Sequence, residues 1–92
     1  MDEKKQAYDP WETAKQRYRV GQVITGSITR AVPFGAFVCL EEGMEGLIPR
    51  SELPAGMNPL LHLSEGLQLP LRILEFNPER HHLKLSLSQV DR

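Results

Sequence analysis

Leu69, Leu71 and Ile73 recur at every second position, and so do Leu83, Leu85 and Leu87. A period of two fits a strand with one buried face, because successive side chains leave a pleated backbone on opposite sides. "LQLPLRILEF" and "LKLSLS" therefore read as two strands joined by the turn "NPERHH". Pro70 falls on the face opposite the leucines and cannot donate to a ladder, so it needs an edge or a bulge. Upstream, "VGQVITGSITRAV" is rich in Val, Ile and Thr, and Gly26 in its middle marks a bulge or sharp bend. Pro33 and Gly35 punctuate a turn before a second strand, "GAFVCL"; "EEGM" turns again into a short third strand, "EGLIP". "RSELPAGMNPLLHLSEG" lacks alternation and reads as a long connection with one helical turn near Ser51 to Leu53. Five short strands with a longer connection after the third match an all-β, five-stranded barrel of the OB type. Alternation predicts its core: Val23, Ile28, Ala36, Val38, Leu40, Leu69, Leu71, Ile73, Leu83, Leu85 and Leu87.

Residues 1–19 are expected to form a polar tail and a short linker helix, and residues 20–92 the barrel domain. The first eight residues are polar and expected to be disordered. Asp9 then fits an N-cap, Pro10 the first helical position and Glu12 the third, with a helix predicted to about Arg17. Trp11, Ala14 and Tyr18 recur at helical spacing. So short a helix must dock this stripe, either on its own barrel end or on a neighbouring domain, and the sequence does not separate the two.

The 92 residues suffice for one domain, with an ordinary 40% of apolar residues. The lone Cys39 excludes an internal disulfide and fits a reducing, cytoplasmic setting. No apolar run approaches the roughly 20 residues a membrane helix needs, and the charged N-terminus lacks the apolar stretch of a signal peptide. Net charge is −1 overall. From Val20 onward six Lys/Arg face eight Asp/Glu, a balance of −2. A barrel so charged cannot hold nucleic acid by charge alone and would need base stacking with local basic spots.

Those stacking groups would have to come from "PFGAFVCL". If Ala36, Val38 and Leu40 point into the barrel, Phe37 and Cys39 point out, and Phe34 in the turn can flank Phe37. The inverted register would bury Phe37 instead, and Phe34 would plug the barrel mouth. Two outward aromatics on an OB sheet form a stacking platform for single-stranded nucleic acid. Glu41, Glu42 and Glu45 cluster near the second turn and would repel phosphate on that side.

"VGQVITGSI", "PFGAFVCL", "GMEGLIPRSEL" and "RILEFNPERHHLKLSLS", in this order and spacing, resemble the S-one (S1) RNA-binding domain. The family takes its name from the largest protein of the bacterial small ribosomal subunit. The resemblance covers about Val20 to Ser88, and "DPWETAKQRYRVGQ" looks like the lead-in between consecutive repeats. It implies an RNA face built on Phe34 and Phe37, with Asn77 at the family's Asp position and a basic residue within Arg80-His81-His82. Arg30, Arg50, Arg80 and Lys84 would hold phosphates, and His82 would join them at the hairpin. Pro49 stands where the family carries a histidine, and Ser88 where a lysine often follows. These departures imply a modest grip and leave the fold untouched.

The resemblance further implies a non-catalytic module that binds single-stranded RNA in translation, holding mRNA on the small ribosomal subunit or beside other S1 repeats. No cofactor, small-molecule substrate or membrane is expected. A second reading is a protein-docking barrel with weakened RNA binding, which Pro49, the acidic turn and the −2 balance favour. A third is an accessory domain of a ribonuclease or transcription factor. His62, His81 and His82 lack the spacing and partner ligands of a metal site. Ser86 and Ser88 read as a solvated strand face rather than nucleophiles.

Overall fold

The computed structural model describes residues 9–41 and 43–90. Five strands, β1 (Val23–Val32), β2 (Gly35–Glu41), β3 (Met44–Pro49), β4 (Gln68–Asn77) and β5 (His82–Ser86), close a barrel in the order β1-β2-β3-β5-β4. Neighbours are antiparallel except β3 and β5, which run parallel and meet at Leu47 and Lys84. At Pro70, β4 pairs with Thr25 of β1, while its ladder with β5 begins only at Arg72. The strand therefore has a partner on one side there, as a residue without an N–H requires.

β1 closes the barrel by serving two neighbours, β4 through Val23–Ser27 and β2 from Ser27 onward. Gly26 sits at this changeover, where an added Cβ would lie 2.5 Å from Val38 Cγ1. Its role is close approach, and the bulge falls later, between Ile28 and Arg30. With no bulge at Gly26, Ile24, Gly26 and Ile28 share the inner face. Val23 has the opposite parity and is 42% exposed, outside the core that alternation assigned to it.

The rest of that core follows the alternation. Ile28, Ala36, Val38, Leu71, Ile73, Leu83 and Leu85 are buried, with Leu40, Leu69 and Leu87 half-buried against them. Met44 and Ile48 of β3 are also fully buried, and Leu53 and Leu63 from the connection are buried beside them. Each such side chain contributes roughly 1.5–3 kcal/mol by leaving water. The connection carries a 3-10 turn at Arg50–Glu52, near the turn expected at Ser51 to Leu53, and an unexpected short helix, α2 (Pro59–His62). This second helix is capped by Asn58 Oδ1, which accepts the Leu60 N–H at 2.9 Å.

β5 ends at Ser86, two residues before the alternation does. The chain then folds back: Leu87 and Ser88 donate to the Glu52 carbonyl at 3.1 and 3.0 Å. Ser86 is thereby fully buried rather than on a solvated face, and its Oγ accepts the Gln89 N–H at 3.2 Å. Arg72 fastens this segment, donating from Nε to the Gln89 carbonyl at 2.8 Å and to the carbonyls of Val90 and Gly21.

The N-terminal helix, α1 (Pro10–Ala14), starts as expected, with Asp9 Oδ1 accepting the Trp11 N–H at 3.0 Å. It ends at Ala14 rather than near Arg17, although Tyr18 N still donates to the Ala14 carbonyl at 2.9 Å. Trp11 is buried, donates from Nε1 to the Gly43 carbonyl at 3.1 Å, and stacks on His81 at 5.0 Å with 7° between planes. The helix therefore docks on its own barrel, at the 3-10 turn Pro78–Arg80 and His81. The disorder expected of the first eight residues lies outside the described ones.

Candidate nucleic-acid interface

Ala36 and Val38 point inward, so Phe37 between them points outward, and the register chosen from the sequence holds. Arg30, Phe37, Leu47, Lys84 and Glu75 are successive cross-strand partners, forming one row over all five strands. Gly35 sets the turn beside it: an added Cβ would lie 2.1 Å from the Ile48 carbonyl oxygen, so only glycine lets β2 approach β3 here. Phe34, 58% exposed, meets Phe37 edge to face at 6.2 Å and 90°. The Arg30 guanidinium carbon lies 5.5 Å from the Phe37 ring centroid, within cation–π range.

Two open grooves flank Phe37. One, of about 380 Å³, is lined by Thr29, Arg30 and Glu45. The other, of about 450 Å³, has Leu47 and Pro49 on its floor and Glu75, His82 and Lys84 on its wall. Glu75 engages His82 Nε2 at 2.9 Å and Lys84 Nζ at 3.6 Å. The His82 hydrogen bond first, and the Lys84 charge second, hold the Glu75 carboxyl below its ordinary 4.5. The acidic residues do not act as one cluster. Glu45 accepts from Thr29 Oγ1 at 2.8 Å, while Glu41 takes Arg17 at 2.6 Å and the Tyr18 hydroxyl at 3.1 Å. Glu42 lies outside the described residues.

The fold brings Arg30, Phe34, Phe37, His82 and Lys84 onto this face. Arg50 braces the aromatic turn instead, donating from its backbone N to the Phe34 carbonyl at 2.8 Å and from Nη1 to the Pro33 carbonyl at 3.1 Å. Asn77 Oδ1 accepts the Arg80 N–H at 3.3 Å, so its amide shapes the hairpin. Arg80 is exposed on that turn. The two adjacent histidines both border the larger groove: His81, at φ 53°, also stacks on Trp11 and lies 3.6 Å from Asp9, while His82 engages Glu75. Sequence reasoning missed Leu47 and Glu75. Alternation from the buried Ile48 would have found Leu47, whereas the bulge between Ile73 and Glu75 hides the parity of Glu75.

The S1 RNA binding domain model matches residues 17–88. The chain belongs to the S1 RNA-binding domain family. The matched model is that of an RNA-binding domain. This S1 domain is 36% identical over 84 residues to small ribosomal subunit protein bS1 of Rickettsia conorii, covering 88% of the chain and 15% of that protein. It is also 36% identical over 90 residues to 4-hydroxy-3-methylbut-2-enyl diphosphate reductase of Clostridium acetobutylicum, covering 96% of the chain and 14% of the reductase. A chain in the a/eIF2alpha–aDim2p–rRNA complex from Pyrococcus horikoshii superposes with a TM-score of 0.73 at 26% identity, over 79% of this S1 domain and 46% of that chain. The S1 domain thus spans a small part of the curated relatives it matches. Among the described residues, no helix is long and apolar enough to cross a membrane.

Proposed function

We propose that this S1 domain is a non-catalytic holder of single-stranded RNA. One or two bases stack on Phe34 and Phe37, each contributing about 1–3 kcal/mol. Arg30, Lys84 and His82 contact phosphates beside them, and Arg50 and Arg80 do so at the rim. The carrying observation is the edge-to-face pair of exposed Phe34 and half-buried, outward Phe37, with Arg30 against the Phe37 ring. Every base has a π-face, so sequence preference is low. The setting is translation in the cytoplasm: the domain holds mRNA at the small ribosomal subunit as one repeat of a longer chain, with residues 9–22 as the lead-in from the repeat before.

Titration of the labelled domain with octa-uridylate, at low and physiological salt, tests this by NMR. Amide shifts centred on Phe34, Phe37, Arg30 and Lys84, weakening with salt, are the expected result. Absence of shifts at hundreds of micromolar RNA would overturn the reading and leave a protein-docking barrel in its place.

A further inference from the structure

The two oxygens of the Glu75 carboxylate are divided between the His82 ring and the Lys84 ammonium of the groove. Oε1 lies 2.9 Å from His82 Nε2, and Oε2 lies 3.6 Å from Lys84 Nζ. Two non-bridging oxygens of a phosphate would ask for the same two donors in the same way. The trio is reachable from solvent, with side-chain exposures of 55% for Glu75, 53% for His82 and 35% for Lys84. Ion pairs so exposed are weak and exchange readily. Glu75 is also the direct cross-strand partner of Lys84, placed outward by the bulge after Ile73. The Lys84 and Glu75 charges cancel, so this end of the row offers little net attraction to RNA.

We infer that Glu75 is a built-in competitor of the RNA phosphate, occupying Lys84 and His82 in the free protein and setting the affinity and salt dependence of the face. The inference rests on the RNA reading for its physiological meaning, while the competition itself concerns any polyanion. An arriving phosphate displaces the carboxylate, and part of the attraction of Lys84 is spent on that exchange. The face therefore discriminates against weakly held strands: a ligand that stacks on Phe37 can complete the exchange, and one held by charge alone gains little.

Glu75→Gln keeps the size and an oxygen acceptor for His82 but removes the charge. Octa-uridylate should then bind roughly two- to fivefold tighter, the range set by a weak exposed pair. The slope of log affinity against log salt should steepen by about 0.7, one more phosphate contact on a single strand. Lys84→Ala should cost more in the Glu75→Gln background than in the wild type, a coupling that a merely structural Glu75 would not produce. Sodium tripolyphosphate, followed by NMR at Lys84 and His82, reads the competition without base stacking and should also bind tighter to the variant. Unchanged RNA affinity and slope, with Phe37→Ala still weakening binding, would overturn the inference and leave the RNA reading standing. Tighter tripolyphosphate binding with no RNA binding by either form would support the competition and sink the RNA reading. Weaker RNA binding by Glu75→Gln would make Glu75 a base contact and overturn the inference.

Discussion

Phe37→Ala separates display from packing. In the free domain the ring contacts Arg30 and Leu47 across the strands and the edge of Phe34. Cross-strand pairs contribute roughly 0.2–1 kcal/mol each. An edge-to-face aromatic pair adds about 0.5–1.5 kcal/mol. Because these contacts share one half-buried ring, truncation should cost about 1–2 kcal/mol of stability, below the 3–5 kcal/mol typical of a fully buried phenylalanine. The bound state should lose more: one base deprived of its platform forfeits about 1–3 kcal/mol, or roughly 5- to 150-fold in Kd. Urea denaturation followed by Trp11 fluorescence measures the first quantity, since that single tryptophan is buried against His81. Fluorescence anisotropy of labelled octa-uridylate measures the second. A stability loss above about 3 kcal/mol with unchanged RNA affinity would place the ring in the core energetically and refute the reasoning.

Trp11→Ala removes a buried ring and its bond to the Gly43 carbonyl, so the urea midpoint by circular dichroism should fall by the equivalent of about 3–5 kcal/mol. Gly35→Ala drives a methyl against the Ile48 carbonyl; about 1–3 kcal/mol of stability should go, and the Phe34 and Phe37 ring resonances should shift as the turn opens. The Glu75 carboxyl is held below its ordinary 4.5, so its contribution is present above that value and is lost as pH falls through the folded-state value. Glu75→Gln should therefore lower the urea midpoint slightly at neutral pH, with the difference from wild type closing as pH falls below 4.5, so that the acid limb flattens.

The barrel was legible because Ala36, Val38, Leu71, Ile73, Leu83 and Leu85 obey a strict period of two, which only a one-sided strand satisfies. Errors arose where the backbone breaks that period. Val23 was misplaced because Gly26 looks like a bulge from sequence, and close approach to Val38 is a tertiary fact that no local pattern carries. Met44 and Ile48 escaped because Gly46 between them offers no side chain to extend the alternation. α2 was missed because Pro59 to His62 is too short for a helical period to show. In the candidate site the outward side of Phe37 was readable from parity alone, whereas Phe34 lies in the turn before the strand. The contact of His82 with Glu75 was not readable, since it depends on the hairpin and on a bulge in β4.

The stack of Trp11 on His81 fastens the incoming chain to the β4–β5 hairpin, and the next residue, His82, is on the candidate nucleic-acid face. The hairpin is therefore a mechanical handle shared by two loads. A pull on the polypeptide ahead of Asp9 is delivered to the Asp9–His81 and Trp11–His81 contacts of the hairpin, together with the direct bond of Trp11 to the Gly43 carbonyl. Torque from that direction would tilt the turn that holds His82, and on the proposed reading RNA seated there would resist the tilt. Chain orientation and ligand occupancy thus meet at a single turn.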